Sequence, residues 1–299
     1  MSLIDVRSPK EFLAGHIPGA SNLALFSDEE RHAIGLTYKK KGPQEAIALG
    51  ITFAAPKAQW LLQEGEKLLA PITIYCWRGG MRSQAVQTFF SAAKIEAKRL
   101  AGGYKSWRGS ARELFSYPWK LKVLGGLTGS GKTERLETLR EQGNLVINLE
   151  KLANHKGSVF GYLGRQPTTE HFQNLLASEL AAMDKSKEIY LEDESRMIGS
   201  CQLPAPFFAR MRQAELLWIE TDLEERLLRL QNEYQNLPKE KLIEAVEKLR
   251  KRLGGKKTKD AIQAICQGDL REAAALILDY YDKTYLHAAK SRVRAHGPL

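Results

Sequence analysis

The segment GLTGSGKT, Gly126 to Thr133, restricts the fold of this chain more than any other feature. It satisfies the pattern G-x-x-x-x-G-K-[ST], which binds phosphate where a strand ends and a helix begins. The apolar run KLKVLGG precedes it, and TERLETLREQ follows it with the composition of a helix. The sequence therefore predicts a strand, a phosphate-binding loop and a helix in succession.

Within this stretch, which we call the phosphate loop (residues 126–133), glycines let backbone amides face a phosphate. The Lys132 ammonium supplies a point charge, and the Thr133 hydroxyl is a candidate ligand for Mg²⁺. A glycine turn without a ligand is the alternative. The predicted phosphate-binding residues are Gly126, Gly129, Ser130, Gly131, Lys132 and Thr133.

Further apolar runs at LVINL, EIYLE and LLWIE alternate with helical stretches such as TEHFQNLLASELAAM. That alternation predicts a parallel sheet with helices on both faces. Beyond Thr221 the pattern predicts consecutive amphipathic helices, from DLEERLLRLQNEY to LREAAALILDYYDKTY.

Acidic residues follow one of these strands in IYLEDESR. Glu192, Asp193 and Glu194 are candidates to hold Mg²⁺ or to polarise a water molecule, and solvated turn residues are the alternative. Among them, Asp193 is the candidate Mg²⁺ ligand beside Thr133. The segment NHKGSVFG adds His155 and Lys156 as candidate ligand contacts.

A second strand and helix, PITIYC and SQAVQTFFSAAK, enclose Cys76 and Arg82 in a C-x5-R pattern. We call residues 76–82 the cysteine loop. Inward-turned amides and two arginines would bind an anion there, lower the pKa of the Cys76 thiol and expose a reactive thiolate. A buried structural cysteine beside a glycine turn is the alternative. The candidate catalytic residues are Cys76, Arg78 and Arg82, and the anion-binding candidates are Trp77, Gly79, Gly80, Met81 and Ser83.

The N-terminal half adds a strand at SLIDV and a helix start at SPKEF, where Ser8 is the N-cap and Glu11 completes a capping box. The segment from AGGYKSW through SYPWK is rich in turn residues and predicts a domain boundary near residue 118.

Composition limits the functional classes. The 299-residue chain has a formal net charge of +10, which favours a polyanionic partner such as nucleic acid. Lys256, Lys257 and Lys259 in the basic run KLRKRLGGKKTK are candidate RNA contacts, with a solvated face as the alternative. Since no apolar stretch approaches the roughly 20 residues that span a bilayer, we expect no membrane association and a cytoplasmic location.

Two further segments resemble a known domain. LIDVRSPKEFLAGHIPGASNL resembles the first signature of a rhodanese domain, and YCWRGGMRS with LAGGYKSW resembles its active loop and closing signature. The resemblance implies that Cys76 carries a transferred chalcogen and that Asp5 and Arg7 are structural. Cysteine phosphatases also use C-x5-R, but they place histidine where this chain has Tyr75.

The order of YCWRGGMRS, LGGLTGSGKTE, ANHKGSVFG and LEDESRMIG resembles the tRNA 2-selenouridine synthases, as does the insertion DEERHAIGLTYKKKGPQEAIALG. The patterns together predict an α/β chain with a rhodanese-like domain over 1–118, a P-loop parallel-sheet domain over 119–222 and a helical, tRNA-contacting extension over 223–299. The resemblance runs from about Leu3 to Tyr234 and implies the first two of these domains. It also implies a transferase acting on tRNA that carries 2-thiouridine at the wobble position.

In that family geranyl diphosphate S-geranylates the thiouridine, and selenophosphate then replaces the geranylthio group by selenium. The resemblance implies that Cys76 takes selenium as a selenylsulfide and that Lys132 and Thr133 bind geranyl diphosphate. It further implies no tightly bound cofactor, and a selenophosphate-supplying enzyme as a partner. Two rival functions stay open: a sulfurtransferase with an ATP-using P-loop domain, and an RNA-binding module with an inactive rhodanese fold.

Overall fold

A computed structural model describes residues 1–155, 164–289 and 294–295. The chain divides into two compact units. One comprises Met1–Leu114 with Gln173–Ala181, and the other comprises Phe115–Phe172 with Ala182–Leu299. In these described ranges, no helix is both long and apolar enough to cross a membrane.

The first unit is built on a four-stranded parallel sheet. Its elements are β1 Ser2–Asp5, α1 Pro9–Ala14, β2 Ala20–Asn22, α2 Asp28–Lys41, α3 Pro43–Ala54, a 3-10 helix Ala55–Lys57, α4 Ala58–Glu66, β3 Ile72–Tyr75, α5 Met81–Ala92, β4 Ala97–Arg99 and most of α6 Gly103–Ser116.

The strand order in this sheet is β2-β1-β3-β4. The predicted strands at SLIDV and PITIYC are confirmed as β1 and β3, which lie side by side. Ile4 and Ile74 of these strands pack with Val86 and Phe90 of α5 in one buried cluster. The predicted capping box is also confirmed, because the Ser8 amide donates to Glu11 Oε2 at 3.1 Å.

The structure corrects one sequence prediction. The segment that we expected to be turn-rich forms the 14-residue helix α6. Tyr104, Arg108, Ala111 and Phe115 are all buried, and their spacing places them on one face of the helix. Burial of that face outweighs the low helix propensity of the glycine and serine residues between them.

The chain from residue 115 onward carries a five-stranded parallel sheet. Its elements are β5 Lys120–Gly126, α7 Lys132–Glu141, β6 Leu145–Ile147, α8 Leu149–Ala153, α9 Thr169–Ala182, β7 Glu188–Glu192, β8 Met197–Ile198, β9 Cys201–Gln202, α10 Ala205–Gln213, β10 Glu215–Ile219, α11 Leu223–Tyr234, α12 Lys239–Lys248, α13 Arg250–Leu253, α14 Gly255–Gln267, α15 Leu270–Ala289 and β11 Arg294–Ala295.

The strand order is β11-β10-β5-β7-β6, so the predicted parallel sheet is confirmed and β5, which leads into the phosphate loop, is central. The helical end is confirmed as well. Leu227, Val246, Ile265 and Ile277, from α11, α12, α14 and α15, share one buried apolar cluster. Burial of one face of each helix stabilises this region, as the amphipathic pattern predicts.

Candidate functional site

The cysteine loop joins the end of β3 to the start of α5, as its sequence context predicts. Gly80 is the N-cap residue of α5, and Gly79 has a φ of +67°, a conformation that side-chain-bearing residues rarely adopt. The loop therefore turns sharply at the helix N-terminus, where amides and the helix dipole favour an anion.

Cys76 lies inside this loop, with only 3% of its surface exposed. The expectation of an exposed thiolate is wrong, because Sγ is directed to Ser83 Oγ at 3.3 Å and to the Gly80 carbonyl at 3.8 Å. Burial raises the pKa of the thiol, but hydrogen bonds from Ser83, the charge of Arg82 and the Gly80 amide outweigh it and hold the pKa below its ordinary value. The environment thus favours the thiolate, the nucleophilic form.

The other two cysteines lie in environments that differ from that of Cys76. Cys201 is buried, and burial raises the pKa of its thiol to about 11. Cys266 is exposed on α14. Of the two buried thiols, that of Cys76 therefore has a lowered pKa and that of Cys201 a raised one.

The two arginines of the cysteine loop have different settings. Arg82 makes a two-pronged ion pair with Glu11, through Nη1 to Oε2 at 2.5 Å and Nη2 to Oε1 at 3.3 Å. Arg78 is exposed and forms no ion pair with any residue in the described ranges. Arg82 is therefore held at the loop, whereas Arg78 has the freedom to reach a bound anion. Sequence reasoning missed Glu11 as a partner, since a capping box carries no signal of a contact 71 positions away.

The closing signature holds the cysteine loop in place. The Tyr104 amide donates to the Cys76 carbonyl at 2.9 Å, and the Lys105 amide donates to the Trp77 carbonyl at 2.8 Å. Gly103, at φ +59°, lies so close that a Cβ there would collide with the Cys76 carbonyl and the Gly79 amide nitrogen. Only glycine fits this close approach of two backbone segments.

Beneath the loop, Asp5 and Arg7 form a buried ion pair with 2.6 Å between Oδ2 and Nη2. The Arg7 guanidinium lies 4.0 Å from the centre of the Tyr104 ring. Both charged groups are nearly inaccessible to solvent and are hydrogen-bonded to each other. This burial and pairing are typical of a structural ion pair.

The phosphate loop joins β5 to α7. Gly129 and Gly131 each have a φ of +80°, and Gly131 is the N-cap residue of α7. The Lys132 ammonium donates to the Gly126 and Leu127 carbonyls at 3.1 and 3.3 Å, so it folds over the loop. Ser130 is buried within the loop. These φ values and the helix N-terminus are the features on which the predicted phosphate site depends.

Two arginines of α11 contact this loop, and sequence reasoning did not find them. Arg226 is buried, donates to the Thr128 carbonyl at 2.9 Å and pairs with Asp282. Arg229 Nη1 lies 3.4 Å from the Gly129 carbonyl oxygen, and its guanidinium pairs with Glu225 at 2.7 Å. In the sequence, Glu225 and Arg229 have the spacing of an ordinary surface ion pair.

Three carboxylates gather beside the phosphate loop. Glu150, Glu192 and Glu194 each place an oxygen within 4.8 Å of the others. Burial and the charge of Glu150 raise the pKa of Glu192 to about 7, although a hydrogen bond from Thr133 opposes the shift. Burial, with the same charge, raises the pKa of Glu194. Glu192 Oε1 has no hydrogen-bond partner in the described structure, so the cluster has the donor set and the spare charge to hold a divalent cation.

Asp193, the predicted Mg²⁺ ligand, is not in this cluster. Its Oδ1 lies 3.4 Å from Arg212 Nη1, so a metal role for Asp193 stays a prediction. Glu150 was missed because it is 42 residues before Glu192 in the chain. His155 follows α8, and its amide donates to the Glu150 carbonyl at 3.0 Å, while Lys156 lies outside the described residues.

The candidate RNA contacts lie on α14. Lys256 and Lys259 are exposed, whereas Lys257 pairs with Asp279 at 2.5 Å. Lys251 and Arg252 on α13 are exposed too, and no ion pair joins either of them to another described residue. A basic surface of this kind can bind a phosphate backbone, and Lys257 contributes least to it because its charge is already partnered.

Two family models match the chain. Residues 1–110 match the model of the rhodanese-like domain, and residues 119–296 match that of the tRNA 2-selenouridine synthase AAA domain. A solved structure, the N-terminal domain of a protein from Clostridium difficile 630, aligns with 36% of this chain and 86% of that chain at 34% identity. Its TM-score of 0.35 is too low to define a shared fold.

Curated relatives extend over nearly the whole chain. A tRNA 2-selenouridine synthase of Pseudomonas fluorescens Pf-5 is 34% identical over 97% of this chain and 89% of its own length. A protein of the same name from Marinobacter nauticus is 35% identical over 95% of this chain and 87% of its own length. Another, from Cupriavidus necator, is 39% identical over 78% of this chain and 65% of its own length.

Proposed function

Because the chain belongs to the tRNA 2-selenouridine synthase family, we propose that it converts wobble 2-thiouridine in tRNA to 2-selenouridine through an S-geranyl-2-thiouridine intermediate. Geranyl diphosphate and selenophosphate are the proposed co-substrates. The observation that supports this proposal is the presence of two separate glycine-rich loops, each between a strand and a helix N-terminus, one holding Cys76 and one holding Lys132. We assign one loop to each of two reactions that consume a phosphorus-bearing anion.

In the first reaction, the thiouridine sulfur attacks C1 of geranyl diphosphate. A carbon–sulfur bond forms, the carbon–oxygen bond breaks, diphosphate leaves with the electron pair, and the uridine loses its N3 proton. The amides of the phosphate loop and the Lys132 ammonium are placed to bind the diphosphate. The Arg229 guanidinium also lies at this loop, beside Gly129, but Glu225 and Glu134 already pair with it.

A magnesium ion fits the carboxylate cluster. Glu150, Glu192 and Glu194 supply oxygen ligands, and the Thr133 hydroxyl lies beside them. Glu192 Oε1 has no hydrogen-bond partner in the described structure, so it is available to coordinate a cation. When bound, Mg²⁺ would neutralise the charge that develops on departing diphosphate.

In the second reaction, selenium of selenophosphate attacks C2 of the geranylated base, and geranylthiol leaves. The phosphorus–selenium bond must then break. If Cys76 attacked selenium to form a selenylsulfide, selenium would be oxidised by two electrons, and phosphorus would leave with the electron pair as phosphite. Attack of the Cys76 thiolate on phosphorus instead leaves both electrons on selenium, and water then releases phosphate from the cysteine. In place of the selenylsulfide role that the family resemblance implies for Cys76, we therefore propose Cys76 as the phosphoryl acceptor.

The balanced sum is geranylthiouridine, selenophosphate and water giving selenouridine, geranylthiol and phosphate. The cysteine loop supports this assignment, because the Arg82 charge and the backbone amides of Gly80 and Ser83 favour the Cys76 thiolate, where a phosphoryl group would be received. The exposed basic residues of α13 and α14 are the proposed contacts with the tRNA backbone.

The test is to incubate the protein with thiouridine-containing tRNA, geranyl diphosphate and selenophosphate, omit each in turn, and identify the wobble nucleoside by mass spectrometry. We expect geranylthiouridine without selenophosphate, selenouridine with both, and no selenouridine from Cys76→Ser. Unmodified thiouridine throughout would overturn the proposal and favour the rival sulfurtransferase with an ATP-using P-loop.

A further inference from the structure

A cavity of about 720 Å³ lies in the first unit, bounded by α2, α3 and the start of α5. Its volume is within the range of about 300–1,000 Å³ that is usual for small-molecule sites. Met81 and Arg82, which belong to the start of α5 and to the cysteine loop, both line it. The cavity therefore adjoins the loop that carries Cys76.

Most of the residues that line the cavity are apolar, and several of them are exposed to solvent. Leu36, Ile47, Ile51 and Met81 all line it, and they are 42%, 38%, 63% and 59% exposed. Helix α2 has no buried residue over its 14 positions, and α3 buries only alanines. Ile34 of α2 and Phe53 of α3 pack against the core of the first unit, whereas Leu36, Ile47 and Ile51 line the cavity and stay exposed. Grouped exposure of this kind marks a ligand groove or an interaction site.

Apart from Tyr38, the residues with polar side chains that line the cavity are basic. Arg31, His32, Lys39 and Arg82 belong to it, and no acidic residue does. Glu11 outside the lining pairs with Arg82 and lies 3.9 Å from Arg31. An occupant that is apolar at one end and attached to a polyanion at the other is complementary to such a cavity.

We propose that this cavity holds the geranyl chain of S-geranyl-2-thiouridine while selenium replaces the geranylthio group. The inference rests on the proposed function and extends it to the substrate of the second reaction. The occupant is the tRNA-borne chain rather than that of free geranyl diphosphate, because the cavity adjoins the cysteine loop and no residue of the phosphate loop lines it. A geranyl chain bound there holds the carbon–sulfur bond close to the cysteine loop. That bond breaks in the second reaction, and the bound geranyl chain is part of the leaving group.

The test uses the full-length protein and tRNAs bearing S-geranyl-2-thiouridine or S-methyl-2-thiouridine, prepared chemically, with selenophosphate. The double variant Leu36→Asp/Ile51→Asp places charge on two exposed positions of the wall. Leu69→Asp is the matched control, since Leu69 is 71% exposed in the same unit and does not line the cavity. Thermal denaturation checks that each variant is folded, and Leu36→Asn/Ile51→Asn replaces the double variant if it is not.

We expect the unaltered protein to select the geranyl substrate. The double variant should lose roughly tenfold to 100-fold in kcat/KM for that substrate, the range over which apolar pockets discriminate, with little change for the methyl substrate. An unchanged preference for geranyl would overturn the inference. So would a double variant that selenates pre-geranylated tRNA normally but no longer uses geranyl diphosphate, because the cavity would then serve the first reaction. If the unaltered protein selenates neither tRNA, the proposed function itself fails.

Discussion

Glu11 and Arg82 are joined by two hydrogen bonds although the first belongs to α1 and the second to α5. The pair ties a helix-capping residue to the arginine of the cysteine loop. It also offsets part of the positive charge next to Cys76, so the two residues act on the thiol with opposite signs.

The first prediction is therefore a pair of opposite shifts. Burial raises the pKa of Cys76, but Ser83 and Arg82 outweigh it and lower the pKa from its ordinary value. The alkylation rate follows the thiolate fraction, so it should level off at a lower pH than for an ordinary cysteine. Arg82→Gln should move that midpoint upward and Glu11→Gln should move it downward. Iodoacetamide labelling of Cys76 across pH, read by peptide mass spectrometry, measures both, with exposed Cys266 as the internal reference. Shifts of the same sign would contradict the pair's role.

The second prediction concerns the backbone contact at Gly103. Gly103→Ala should destabilise the first unit by about 1–3 kcal/mol, because the added Cβ meets the cysteine loop and the residue is strained at positive φ. Gly109→Ala is the control in the same helix. An added Cβ meets nothing within 4 Å there, and helix propensity should stabilise by up to about 1 kcal/mol. Denaturant unfolding compares the two, and equal stabilities would show that the close approach is unimportant.

The third prediction separates the two reactions. Lys132→Ala should abolish formation of geranylthiouridine from geranyl diphosphate but spare selenation of pre-geranylated tRNA, because its ammonium serves the phosphate loop. Lys187→Ala removes an exposed lysine elsewhere in the second unit and should change neither. Nucleoside mass spectrometry reads both products. The reverse pattern, with geranylation intact and selenation lost, would move geranyl diphosphate away from Lys132.

The fourth prediction tests magnesium at the carboxylate cluster. Mg²⁺ should raise the Tm of the protein, since a cation relieves repulsion among buried carboxylates. Glu192→Gln should raise Tm in EDTA by removing a buried charge, yet lose the response to Mg²⁺. Glu141→Gln, at an exposed position on α7, should behave like the unaltered protein. A full Mg²⁺ response in Glu192→Gln would place the ion elsewhere.

The fifth prediction concerns the basic surface. Replacing Lys256, Lys257 and Lys259 with Glu should weaken tRNA binding and flatten its dependence on salt, because fewer counterions are released. Lys257 should contribute least, since Asp279 already partners it. Titrations at several salt concentrations measure the slope. Binding with an unchanged slope would exclude this surface as a tRNA contact.

The elements that could be predicted from sequence are those with local causes. Ser8 and Glu11 mark the start of α1, and the glycines of both loops mark turns between a strand and a helix. The exception was α6, where glycine and serine suggested turns. Its helical state depends on burial of Tyr104, Ala111 and Phe115, an energy that a local pattern does not report.

The sequence by itself determined the two glycine-rich loops, their place at strand ends, the parallel sheets and the family resemblance, because each depends on residues adjacent in the chain. Only the tertiary structure decided which distant groups meet there: Glu11 with Arg82, Glu150 with Glu192, Arg229 with the phosphate loop, and the apolar cavity beside the cysteine loop. Such contacts arise when separate elements pack together. The packing depends on the shape and burial of whole surfaces, so no short stretch of sequence encodes it.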